Sequence, residues 1–255
     1  MRLIGTSERD EILGTDGADL IDGDYGPDLL VGGAGDDEIY GGDEFFSAGG
    51  KYDDTLSGGA GNDTLWDVGG RDFLFGGDGD DDIGGGFGDN LINGNAGNDT
   101  IWGGLGADTI HGGQGDDLIV GRDGDVSGDD QGDYINGNLG DDSIVGGAGA
   151  DTLRGGQGVD TIDGGDGDDV IYGDRGAFNM LTGGSGADTF VVTFSHDVIT
   201  DFNYAHGDRL RISPDEVGFK AEQVGDDVQV TLSSFAEIVL KNVKLASLGA
   251  DWIGQ

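Results

Sequence analysis

The chain has 255 residues, of which 57 are glycine and only two are proline, so an ordinary packed core is not expected of it. It carries 52 acidic against 12 basic residues, a formal charge of -40, with Asp far outnumbering Glu. Repulsion excludes nucleic acid and anionic membrane as attractive partners, while the absence of cysteine removes disulfides and thiolate metal ligands, so the charge calls for cations and the fold for another staple.

Met1 runs directly into Arg2-Leu3-Ile4-Gly5 with no apolar signal region, and no stretch is long and apolar enough to predict a transmembrane segment. For an exported chain the address is expected elsewhere in the sequence. From Gly5 to Val191 the sequence repeats with a period of nine in the frame Gly-Gly-x-Gly-x-Asp-x-U-x, where U is large and apolar. Clear copies are Gly32 to Tyr40, Gly58 to Trp66, Gly103 to His111, Gly112 to Val120, Gly146 to Arg154, Gly155 to Asp163 and Gly164 to Tyr172. The sixth position reads Asp10, Asp19, Asp28, Asp37, Asp54, Asp63, Asp72, Asp81, Asn90, Asp99, Asp108, Asp117, Asp133, Asp142, Asp151, Asp160, Asp169, Asn179 and Asp188. The eighth is apolar throughout, from Ile12, Ile21 and Leu30 to Ile171, Leu181 and Phe190, whereas positions three and five vary.

Repeated glycines permit positive φ and close backbone approach, so the first six residues of each unit predict a turn and the last three a short strand. Strand side chains alternate, so only the middle residue of x-U-x faces inward. Two units then make one flattened coil, with two parallel sheets sharing a ladder of Ile and Leu; at ~4.8 Å per coil the roll would be about 45 Å long. The predicted fold class is all-β, a parallel β-roll or β-solenoid.

Two units are stretched. Gly41 to Ser57 contains an extra Glu44-Phe45-Phe46-Ser47 region, and Gly121 to Asn136 contains Asp123-Gly124-Asp125-Val126-Ser127-Gly128-Asp129. By parity both are expected on the same edge. The second resembles the start of an EF-hand loop, although Tyr134 stands where the closing Glu belongs. From Val192 the pattern changes to alternating apolar residues, as in Asp197-Val198-Ile199-Thr200-Asp201-Phe202 beside Phe194, Asp208 to Ile212, Val228 to Leu232 and Ile238 to Leu240. An open roll end would expose unpaired strands, so residues 1–191 are expected to form the roll and residues 192–255 a β-rich cap.

Units of the same parity lie on one edge. Asp37, Asp63, Asp81, Asp99 and Asp117 are therefore expected to stack in one column, and Asp108, Asp133, Asp151, Asp169 and Asp188 in the other. Stacked ionised carboxylates repel unless a cation sits between them. Carboxylates and turn carbonyls in flexible geometry suit Ca²⁺ better than Mg²⁺, and zinc would want His or Cys. All the motif aspartates from Asp10 to Asp188 are candidate ligands, and one ion per same-edge pair amounts to on the order of fifteen Ca²⁺.

These residues resemble the RTX (repeats-in-toxin) nonapeptides, the hemolysin-type calcium-binding repeat, over residues 5–191. The resemblance implies a right-handed parallel β-roll holding Ca²⁺ between neighbouring same-edge turns, secretion through the type I apparatus of Gram-negative bacteria, and an uncleaved C-terminal secretion signal. The tail Leu245 to Ile253 is similar to those of serralysin-like proteins, though Gly254-Gln255 is not a strongly apolar ending. Asn90, Asn179, Pro27 before Asp28, and Asp67-Val68 in place of Gly-Gly depart from the pattern and imply weaker calcium sites at those coils.

His111, His196 and His206 are scattered without an H-E-x-x-H context, and the adjacent Ser195-His196-Asp197 cannot adopt triad geometry, so no enzyme is expected. Position nine faces outward and reads Tyr40, Trp66, Gly84, Trp102, Val120, Val145 along one sheet, a row suited to a polysaccharide or a surface protein, or simply to strand propensity. The expected function is a secreted structural or binding module that folds when Ca²⁺ binds outside the cell. Nodulation proteins of the NodO type, linked to cation passage through membranes, and the repeat modules of alginate epimerases, which assist polysaccharide binding, are the alternatives. Because the repeats begin almost at Met1, either they are themselves the function or a passenger has been removed.

Overall fold

The structure is a computed structural model and describes residues 1–42, 52–121, 131–175, 177–193, 196–212, 218–233 and 236–254. Both stretched regions, Glu44 to Ser47 and Asp123 to Asp129, lie outside the described residues, as do Phe194 and Ser195.

Among the described residues the strands form two sheets, one of fourteen strands and one of twelve, and up to Arg209–Ile212 successive strands alternate between them, each pairing in parallel with the strand two positions away in the chain. This is the all-β parallel β-roll that the period of nine predicts. The register follows the repeat: Ile39 pairs with Leu65, Leu65 with Ile83 and Ile83 with Ile101. Each stretched region follows a strand of the larger sheet and precedes one of the smaller sheet, so both start and end at the same edge.

The eighth-position side chains form one continuous core. Ile21, Leu30, Ile39 and their successors to Phe190 have at most 1% of their surface exposed, whereas Leu3 and Ile12 at the N-terminal end are only partly covered. An inward Ile or Leu buries about 1.5–3 kcal/mol of side chain, and each coil finds that burial only against its neighbours.

Many strands are longer than the three residues expected from x-U-x. Thr55–Ala60, Phe73–Asp78, Leu91–Ala96 and Thr109–Gln114 continue into the following glycines. The backbone of neighbouring coils pairs again there, Gly59 with Gly77 and Asn95 with Gly113. Gly33 and Gly35 illustrate the turn conformation, with φ of 115° and 102°.

The parallel ladders run past Val191. His196–Ile199 joins the larger sheet and Arg209–Ile212 the smaller one, after which Asp227–Leu232 pairs antiparallel with Glu237–Leu240 and with Phe219–Val224. Among the described residues no helix is long and apolar enough to cross a membrane.

Candidate metal centre

Each motif Asp sits at the end of a turn, immediately before its strand, where its side chain folds back under the glycines. The backbone N–H of one motif residue donates to Oδ1 of the motif residue one coil further on. Along one edge the chain of bonds runs Asp19, Asp37, Asp63, Asp81, Asp99, Asp117, Asp142, Asp160 and Asn179, with distances such as 2.8 Å from Asp63 N to Asp81 Oδ1. Along the other it runs Asp10, Asp28, Asp54, Asp72, Asn90, Asp108, Asp133, Asp151, Asp169 and Asp188. The columns expected from parity therefore exist, and hydrogen bonds tie each to the backbone.

The second carboxylate oxygen is in a different situation. Oδ2 of Asp28, Asp37, Asp63, Asp81, Asp99, Asp117, Asp142, Asp160 and Asp169 is buried with no hydrogen-bond donor. Its niche is lined by acceptors: a Cβ on Gly76 would collide with Asp81 Oδ2 and lie 2.7 Å from the carbonyl of Gly94. A buried anion facing carbonyl oxygens needs a cation or a proton.

The two asparagines show what the niche asks for. Asn90 keeps the Oδ1 contact, accepting from Asp72 N at 3.0 Å, but its Nδ2 donates to the carbonyls of Gly85 and Gly88, both at 3.1 Å. Asn179 Nδ2 likewise donates to Gly173 O at 2.9 Å and to Asp197 Oδ1 at 3.0 Å. An amide N–H₂ thus occupies, in these coils, the place where electropositive charge is wanted elsewhere. Buried oxygens without donors, more oxygens around them and no sulfur or imidazole are a donor set that fits Ca²⁺.

Asp10 and Asp19 stand apart. Thr6 and Thr15 replace the second glycine, and each donates both its N–H and its hydroxyl to Oδ2, at 2.6 and 2.9 Å for Asp10 and at 2.6 and 2.8 Å for Asp19. In the first coil the chain supplies its own donors.

Two members of the columns are absent from the repeat frame. Asp197 and Asp208, 1% and 3% exposed, continue the ladders, with Asp208 Oδ1 accepting from Asp188 N at 3.2 Å. Their signal is the triplet Asp-x-U without glycines, as in Asp197-Val198-Ile199 and Asp208-Arg209-Leu210. Position five, which varies over the whole chain, forms a second, outer ladder that is continuous on one edge, where Asp36, Asn62, Asp80, Asn98, Asp116 and Asp141 each accept from the next coil's backbone, and interrupted on the other, where Asp53, Asp89 and Asp168 do so.

The histidines do not converge. His111 lies on the smaller sheet against Tyr134, His196 on the larger sheet against Phe178, and His206 in a turn. The outward row is formed as expected, Tyr40 pairing with Trp66, Trp66 with Gly84, Gly84 with Trp102, and on to Val120 and Val145. Gly84 leaves room for Trp66 and Trp102 to stack across it, centroids 5.6 Å apart and planes at 24°.

Burial raises the column carboxylates from an ordinary 3.8 to about 7 at Asp81, Asp117, Asp160 and Asp169 and to about 6 at Asp28, Asp63, Asp99, Asp142 and Asp188. The backbone N–H on Oδ1 works against burial, and neighbouring aspartates add to it. Raised values mean that the metal-free fold binds more protons than the unfolded chain between about pH 4 and pH 7, so its stability falls as pH rises through that window. In excess chelator, sheet circular dichroism and melting temperature are expected to be highest near pH 4 and lowest above pH 7; a metal-free chain equally stable at both contradicts the assignment.

The family model described as RTX calcium-binding nonapeptide repeat (4 copies) matches residues 2–26, 13–44, 48–83, 67–92, 84–119, 127–162, 145–177 and 179–200. A comparison with curated proteins finds no match. Solved structures that align with the chain include the extracellular lipase LipA from Serratia marcescens, at 19% identity and TM-score 0.37 over 94% of this chain and 40% of the lipase. Another is the AlgE6R3 subunit of the Azotobacter vinelandii mannuronan C5-epimerase, at 26% identity and TM-score 0.29 over 51% of this chain and 81% of that one. With the matched repeats spanning most of its length, the chain belongs to the RTX calcium-binding nonapeptide repeat family.

Proposed function

We propose that the chain is a secreted calcium-switched module: unfolded by self-repulsion where calcium is scarce, exported through a type I secretion apparatus of a Gram-negative bacterium, and ordered outside the cell. The ligands are the motif aspartates from Asp28 to Asp188 with the turn carbonyls beside them, for on the order of fifteen ions, each supplying positive charge between acceptors. Residues 192–255 serve as the cap and carry the secretion signal. Once folded, the roll acts as a structural or binding element at the surface or in the matrix, with no catalysis of its own. The observation that carries this reading is the run of buried Oδ2 atoms without donors, filled by an amide only at Asn90 and Asn179.

Extracellular calcium modules bind at about 0.1–1 mM, so order is expected over that range. Circular dichroism at neutral pH should show a sheet spectrum and a cooperative melt in millimolar calcium and neither in excess chelator; identical spectra and melting points in the two conditions would sink the reading. Asn90→Asp exchanges an amide donor for an oxygen without one, and is expected to add one bound ion per chain at saturating calcium. An unchanged ion count contradicts it.

The Trp66–Trp102 stack favours a second reading, a polysaccharide-binding surface, since exposed aromatic faces receive sugar rings. Trp66→Ala and Trp102→Ala should then abolish binding on a glycan array with the calcium melt intact; unchanged binding rejects the aromatic row.

A further inference from the structure

Asp67 breaks the repeat, standing at the first turn position, where glycine is the rule, with Val68 after it. From the sequence alone this departure is expected to weaken the calcium site at its coil. The folded chain places the side chain where one more ligand belongs. Asp67 is only 5% exposed, and its Oδ1 accepts the N–H of Val68 at 2.6 Å and of Gly69 at 3.3 Å. Its Oδ2 is buried with no hydrogen-bond donor. That oxygen is turned toward Asp54: a Cβ on Gly41 would collide with Asp67 Oδ2 and lie 3.1 Å from Asp54 Oδ2.

Asp54 and Asp72 are motif residues of successive coils, joined by the bond of 2.8 Å from Asp54 N to Asp72 Oδ1. Asp67 enters between them, and one oxygen from each of the three lies within 4.8 Å of the others, all three side chains being buried. The regular turn brings two motif carboxylates together; this one brings three. Three buried negative charges at that separation repel one another strongly unless a cation or a proton lies among them. An all-carboxylate set without imidazole or thiolate selects a hard cation, and the number of charged ligands sets how tightly such a site holds calcium.

We propose that Asp54, Asp67 and Asp72 form a distinct cation site, tighter than the regular turns, which takes the first Ca²⁺ to bind. The identity of the ion rests on the calcium reading of the roll; the third carboxylate does not. The test is a calcium titration of the full chain against a chromophoric chelator, with bound ions counted by atomic emission. The wild type is expected to hold one ion at free calcium about tenfold below that needed for the rest, the effect of an added ligand charge. Asp67→Gly restores the regular repeat and should remove that tight ion while leaving the later part of the titration and the calcium-dependent sheet spectrum in place. Asp67→Asn keeps the side-chain size, removes the charge and should do the same. Retention of the tight ion in either folded variant, or a wild type whose first ion is no tighter than its others, overturns the proposal. A wild type that neither binds calcium nor gains order with it overturns the calcium reading as well, so the two failures are distinguishable.

Discussion

Along both columns the backbone satisfies Oδ1 of the motif residues, whereas Oδ2 of Asp28, Asp37, Asp63, Asp81, Asp99, Asp117, Asp142, Asp160 and Asp169 is buried with no donor. The Oδ1 ladder is structural: it fixes the spacing of the coils and orients every motif side chain under its turn. At those nine residues that orientation sets Oδ2 against glycine carbonyls, and no described residue donates to it. The same geometry that stacks the coils therefore makes the stack electrostatically incomplete, and an outside cation or a proton must complete it.

The apolar ladder cannot play that part. Ile and Leu at the eighth position of each unit bury well but nearly identically, so a coil shifted by a whole unit would find almost the same core. Departures in the turns break the degeneracy. Thr6 and Thr15 cap Asp10 and Asp19 from within, Asn90 and Asn179 close their own niches, and Asp67 adds a charge at one coil only. Each marks a different register along an otherwise uniform rod.

Much of the fold was legible because a period exposes any environment that recurs. The recurring apolar eighth position gave the core, parity gave the two aspartate columns, and alternation placed Tyr40, Trp66 and Trp102 on one outer row. What stayed hidden was what does not recur. The proximity of Asp67 to Asp54 depends on coils folding over one another across the stretched unit, which no spacing rule contains. Asp197 and Asp208 escaped because their turns lack the glycines that define the frame, although the Asp-x-U triplet survives. The outer ladder of Asp36, Asn62 and Asp80 was concealed because it is continuous on one edge but interrupted on the other by Arg71, Ala107 and Ala187, and averaging position five over both edges erases it.

The C-terminal segment balances its charge by other means. Lys241 meets Asp227 at 2.6 Å and holds that carboxyl below its usual range, Lys244 meets Asp226 at 2.5 Å, and Arg209 lies 3.5 Å from Asp251. Its apolar residues are varied: Phe202 packs against Phe190 and Trp252, and Val228, Val230, Ile238 and Leu240 fill the space beneath the antiparallel strands. Such a unit draws its specificity from shape and from paired ions, both carried by the chain itself. It also offers His196–Ile199 and Arg209–Ile212 as ready strands to which the last regular coil pairs in parallel. The buried carboxylate oxygens without donors are thus concentrated in the columns of the roll, whereas Asp226, Asp227 and Asp251 of the C-terminal segment face lysine or arginine.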